Sequence, residues 1–168
     1  MRRITAIEKH GHGQPCDTVR LDHDQRNRRR MVFTTRTGQA ILLDMPRPVH
    51  LRDGDWLRLD DGAVVKVEAM GEPLIEISAT SDAHMVRIAW HLGNRHLPTQ
   101  LLPGARGGTM RIRQDHVIAE MVAGLGGHCS PVIAPFDPEG GAYEGGSGHG
   151  HHHHDEDDHS HATGHIHG

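Results

Sequence analysis

The sequence predicts an α+β chain: a small β-rich N-terminal domain, then a ferredoxin-like β-α-β-β-α-β domain, then a disordered histidine-rich tail. From Ile4 to about Met70, short strand-like runs are separated by turn dipeptides. After Gly71-Glu72-Pro73 the spacing changes, and two helical repeats appear, each closed by a glycine-bearing stop. Beyond Tyr143 almost nothing apolar remains to be buried. The expected units are residues 1–72, 73–143 and 144–168.

In the first unit, Val19 to Leu21, Arg30 to Thr35, Gln39 to Asp44, Trp56 to Leu59 and Val64 to Ala69 read as strands. Thr37-Gly38, Asp53-Gly54 and Asp61-Gly62 punctuate them. Asp61-Gly62 is a strong hairpin signal, because Asp-Gly suits a turn that needs positive φ. In the second unit Leu74 to Ala79 is a strand. Ser81 or Asp82 caps a helix with Met85, Ile88, Ala89 and Leu92 on one face, stopped at Gly93-Asn94. Leu97 to Leu102 and Met110 to Arg113 follow as strands. Asp115 then caps a second helix whose apolar set is Val117, Ile118, Met121, Val122 and Leu125, ended by Gly126-Gly127. Ser130 to Ala134 is the last strand, and PFDPEGGAY, residues 135 to 143, reads as an ordered strap leaving the fold.

Composition narrows the function. All 18 Lys and Arg lie before Tyr143, facing 17 of the 22 acids, so the body is nearly neutral and carries no global field for nucleic acid. The run Arg26, Arg28, Arg29, Arg30 is short and lacks interleaved aromatics; a solvated strand edge or a protein-docking face fits it better than a nucleic-acid patch. Cys16 and Cys129 make neither a CxxC pair nor a disulfide framework. With no apolar leader and no apolar run of spanning length, a soluble, cytoplasmic chain without a membrane partner is expected. HExxH, P-loop and GxSxG motifs are absent, so the chain offers no obvious catalytic residues and is not expected to be an enzyme.

The tail carries the chemistry. Nine of the 18 histidines, His149, His151, His152, His153, His154, His159, His161, His165 and His167, fall in the last 21 residues. Neutral imidazole binds nickel, copper, zinc and cobalt, so this tract should hold exchangeable divalent metal. A purification tag is the competing reading, but only His151 to His154 are contiguous, and the acids Asp155 to Asp158 interrupt the rest. Affinity should fall as pH drops through the imidazole range, because a ligand histidine must be neutral.

In the body His96 stands out, in HLGNRHLP, residues 91 to 98. It lies just past a helix end and just before a proline, on a short turn that presents the ring at a surface. A metal ligand and a polar helix stop both fit this context. His91 lies a turn back on the helix. His116 and Glu120 share a helix face, which ordinary first-turn roles explain equally well; His10-Gly11-His12 and Asp22-His23-Asp24 are adventitious binders, and His128 and Cys129 on a strand point to opposite faces, which argues against joint ligation.

HLGNRH, DQRNRRR at Asp24 to Arg30, LRDGDWLRLDDG at Leu51 to Gly62, DHVI at Asp115 to Ile118 and PFDPEGGAY together resemble the nickel-binding urease accessory proteins called UreE. The likeness runs through essentially the whole body, and a histidine-rich tail is common in that family. It implies a homodimer in which the two His96 side chains meet near the symmetry axis and share Ni(II) as cargo, with Zn(II) or Cu(II) as competitors. It also implies delivery to the accessory GTPase UreG and the urease apoprotein complex. Some members bear histidines on the strand before the second helix, where this chain has Met110-Arg111-Ile112-Arg113, so a second body site is not carried over. A nickel or zinc buffer acting mainly through the tail is the alternative reading.

Overall fold

The structure, a computed structural model, describes residues 1–9, 11, 13–104 and 108–140. The nine tail histidines, His10 and His12 lie outside the described residues. The described chain runs β1 (Arg2–Glu8), β2 (Asp17–Leu21), α1 (His23–Arg26), β3 (Asn27–Thr34), β4 (Ala40–His50), β5 (Trp56–Leu59) and β6 (Val64–Ala69). It continues with β7 (Gly71–Ala79), α2 (Asp82–Asn94), β8 (Gln100–Leu102), β9 (Thr109–Arg113), α3 (His116–Gly124) and β10 (Gly127–Pro135).

The first six strands form one sheet in the order β2-β6-β5-β1-β4-β3. Asp61-Gly62 closes the β5–β6 hairpin as its sequence requires: Gly62 has φ 83, and its N–H donates to the Leu59 carbonyl at 3.0 Å. Alternation then buries Val19, Leu21, Ile41, Leu43, Leu57, Val65 and Val67 in a single core. The last four strands form a second sheet, β10-β7-β9-β8, with all neighbouring strands antiparallel. Two βαβ crossovers around a central hairpin produce that order, the ferredoxin-like arrangement. α2 and α3 bury Met85, Ile88, Leu92, Ile118 and Val122 on it, beside Ile75, Ile77, Met110 and Ile112.

Several elements differ from the sequence expectation for identifiable reasons. Gly71-Glu72-Pro73 does not break the chain but opens β7, pairing with β10 at Pro73↔Ile133. Pairing with β9 starts only at Leu74, so the missing proline N–H removes no bond of that ladder. β4 runs on to His50 through Pro46 and Pro48 by bulging away from β3. The strand expected at Leu97 to Leu102 shortens to Gln100–Leu102, because the stop of α2 and Pro98 consume its first residues. Ala89 and Val117, expected in the core, are exposed. α1 was not expected, although Asp22 and Gln25 form a capping box in which each side chain accepts the other's backbone N–H.

Candidate metal-presenting turn and the strap beside it

Ser81, not Asp82, caps α2, its hydroxyl accepting the His84 N–H at 3.3 Å. At the other end the His96 N–H donates to the Gly93 carbonyl at 2.9 Å, and the Leu97 N–H donates to the Leu92 carbonyl at 3.3 Å. These two bonds make a Schellman stop, which needs a left-handed residue at its turning point. That residue is His96, with φ 55, the single non-glycine residue of positive φ among the described residues. Leu97 then packs back on the core that holds Leu92, and Pro98 forbids further helix. The sequence HLGNRHLP therefore fixes the backbone on both sides of His96 and leaves its ring exposed. Arg95 reaches the His91 carbonyl at 3.3 Å and Thr99 the Leu97 carbonyl at 3.0 Å, and among the described residues no side chain engages the His96 ring.

Past β10, the strap returns to this turn. The Glu139 N–H donates to the Thr99 carbonyl at 2.9 Å and the Asp137 N–H to the Gln100 side-chain oxygen at 3.2 Å. Thr99 is three residues from His96, at most about 11 Å of chain. The root of the histidine tail is thus tied beside His96. On its other side the strap is held by α1 and β4: Arg26, 1 % exposed, donates to the carbonyls of Phe136 and Leu51, and His50 lies 2.7 Å from Asp137. Phe136 is fully buried, with the His23 ring 5.3 Å away. Arg113 of β9 bonds Asp24 of α1 at 2.7 Å, and the His23 N–H donates to Glu72 at 2.8 Å. Burial holds the His23 imidazole below its ordinary pKa, with Arg26 and Arg113 pushing the same way against Asp24.

The remaining expected residues are not drawn together. Among the described residues no group of three or more His, Cys, Asp or Glu is arranged to hold a metal ion. His91 is half-buried, its ring edge-on to Trp90 at 4.9 Å. His116 and Cys129 line an open pocket of about 490 Å³ with Asp115, whose carboxylate is occupied as the cap of α3. Burial raises the Cys129 thiol pKa, which favours the protonated, weakly ligating form. His128 is exposed next to it in β10. Glu120 is likewise exposed on α3, and Arg111 pairs with Glu76 at 2.8 Å.

One feature of α2 has no counterpart in the sequence expectation. Trp90, 63 % exposed, and Val86, 69 % exposed, stand one turn apart on the outer face of α2. A groove of about 370 Å³ lined by Met85, Val86, Ala89, Leu101 and Pro103 adjoins Val86. The signal was present as an apolar i, i+4 pair off the core-facing stripe.

Fold and site together define an α+β protein of two sheets that presents the exposed His96 imidazole, unpartnered among the described residues, on a fixed turn beside the strap that leads to a histidine-rich tail. The model of the UreE urease accessory protein N-terminal domain matches residues 1–70, and that of its C-terminal domain matches residues 72–165. The chain belongs to the UreE family. It is 56 % identical over 128 residues to the urease accessory protein UreE of Rhodopseudomonas palustris (strain HaA2), covering 76 % of this chain and 58 % of that one. It is 53 % identical over 128 residues to the UreE of Bradyrhizobium sp. (strain BTAi1 / ATCC BAA-1182), covering 76 % and 60 %. With that of Azorhizobium caulinodans it shares 43 % over 147 residues, 86 % of this chain and 69 % of the relative. The matches thus span about 60 % of the length of the first two relatives.

Proposed function

We propose that this chain is a nickel metallochaperone of urease maturation, not an enzyme. It acts in the cytoplasm as a homodimer whose two His96 imidazoles share one Ni(II) ion. The observation that carries the reading is the His96 turn, an exposed imidazole on a residue fixed in the left-handed conformation, its ring bonded to no side chain among the described residues. Family membership supports the urease context. The exposed apolar pair Val86 and Trp90 on α2 supports self-association.

Two imidazoles leave a coordination shell under-filled, which keeps exchange fast. The strap bond from Glu139 to Thr99 supports the tail as the source of further ligands: His149 lies ten residues beyond Glu139, up to about 35 Å of reach. His151 to His154, His159, His161, His165 and His167 extend the same donor supply. In this reading residues 1–72 and 73–143 are the two folded units and 144–168 the exchangeable metal tract, and the accessory GTPase UreG and the urease apoprotein complex receive the nickel. Zn(II) and Cu(II) compete, since imidazole alone does not select nickel over them.

The test is a calorimetric nickel titration of a chain ending at Tyr143, beside its His96→Ala variant, with oligomer mass measured on the same samples. One nickel per dimer that His96→Ala abolishes is the expected result. A truncated body that binds no nickel would make the tail the metal site and the protein a buffer.

A further inference from the structure

The arginine run at the start of β3 has no part in the proposed nickel site. β3 is the outer strand of its sheet, and its pairing jumps from Arg28↔Val49 to Arg30↔Asp44. Two steps along β3 therefore match five along β4, so the Met45-to-Pro48 stretch bulges opposite Arg29. Arg28, Arg29, Arg30 and the bulge's Arg47 are all exposed. Among the described residues one carboxylate comes within ion-pair distance of these four, Asp44 at 4.0 Å from Arg30. Protecting a sheet edge from strand pairing takes a bulge and a charge or two. Three successive arginines, Arg28 and Arg30 on one face of the strand and Arg29 on the other, with Arg47 in the facing bulge, exceed that need and line the edge of an otherwise balanced body with positive charge.

We propose that this edge is the docking site of the chain's own acidic block, Asp155-Glu156-Asp157-Asp158. Charge favours this occupant: the block has four carboxylates and no Lys or Arg follows Tyr143, while guanidinium and carboxylate pair in a matched, two-pronged geometry. The exit of the chain favours it as well. Asp137 of the strap lies 2.7 Å from His50, 3.8 Å from Arg26 and 4.0 Å from Arg52. His50 pairs in register with Asn27, the residue before Arg28, so the strap passes the root of the arginine edge at Asp137, two residues before its tie at Glu139 to Thr99. Asp155 lies fifteen positions beyond Gly140, a contour of at most about 54 Å, ample to reach Arg28 to Arg30. Exposed pairs of this kind are individually weak, and tethering compensates by raising the local concentration to about millimolar. The docking needs no metal and stands apart from the nickel reading.

The test uses the full chain, metal-free and ¹⁵N-labelled, with Cys16→Ser, Cys129→Ala and a nitroxide on Ser160→Cys. At about 10 mM salt, where charges act over about 30 Å, the amide signals of Arg28, Arg29, Arg30 and Arg47 should be lost to paramagnetic broadening. They should return at about 1 M salt, where the screening length is about 3 Å. They should also return in the chain carrying Asp155→Asn, Glu156→Gln, Asp157→Asn and Asp158→Asn, which leaves the folded body untouched. Broadening that persists in that neutralised chain overturns the proposal. So does its absence at low salt, which would assign the edge to an acidic partner protein. Equal broadening in a mixture of spin-labelled ¹⁴N chains with label-free ¹⁵N chains would overturn docking within one chain in favour of docking between copies.

Discussion

Helices α2 and α3 pack on the same four-stranded sheet and stop alike, yet α3 turns on Gly126 while α2 turns on His96. In α3 the Gly126 N–H donates to the Ala123 carbonyl at 3.1 Å, the counterpart of the bond from His96 to Gly93. Glycine is the ordinary choice, because a Cβ in the left-handed region costs about 1–2 kcal/mol. α2 accepts that cost at a position where no side chain among the described residues engages the imidazole. His50 and His23 sharpen the contrast: each is half-buried, His50 against Asn27 and Asp137, His23 against Asp24 and Phe136. Among the described residues, His23 and His50 have partners, and the histidine in the left-handed turn has none.

The largest effect expected from testing this contrast is at the glycine. Gly126→Ala should destabilise by about 1–2 kcal/mol, since φ is 81 and the new Cβ would come within 3.1 Å of the His84 ring. A smaller change of opposite sign should follow His96→Gly, a gain of about 1 kcal/mol in urea unfolding together with loss of the nickel site in the tail-less body. A loss of stability there would mean that the ring has a structural contact after all. His96→Asn should leave stability within about 0.5 kcal/mol, because asparagine tolerates the left-handed region, and should lower nickel affinity as much as His96→Gly does. A stable variant that keeps the site would remove His96 from the reading.

The smallest effect concerns the partnered histidines. His23 is held below its ordinary pKa by burial, so the fold favours its neutral form. The associated stability is complete above the unfolded imidazole value of about 6.5 and is lost as pH falls through the lowered folded value. The urea midpoint should therefore decline from pH 7 to pH 5, with His23→Gln making the decline shallower. An unchanged slope would assign the pH response to other groups.

Local signals were legible wherever short-range chemistry decides. β5 and β6 fall at Trp56–Leu59 and Val64–Ala69 as expected, because alternation and an Asp-Gly turn suffice to set a hairpin. The caps Ser81 and Asp115 were legible for the same reason. α1 and the length of β4 were not: a single capped turn is shorter than any helical period, and Pro46 and Pro48 mask a strand that survives by bulging. The exposed face of Trp90 was obscured by a helix repeat that counted apolar spacing without knowing which side met the sheet.

The sequence by itself determined two β-rich units, two capped helices and a histidine turned outward before Pro98, since propensity, turn chemistry and the Schellman stop act over a few residues. Only the tertiary structure decided that the strap returns to Thr99, that Arg26 and His50 hold it from α1 and β4, and that Arg47 bulges beside Arg28 to Arg30. Asp137 and His50 stand 87 positions apart along the chain. No local pattern encodes such a contact, because it follows from the way two separately packed sheets leave their edges and loops beside one another.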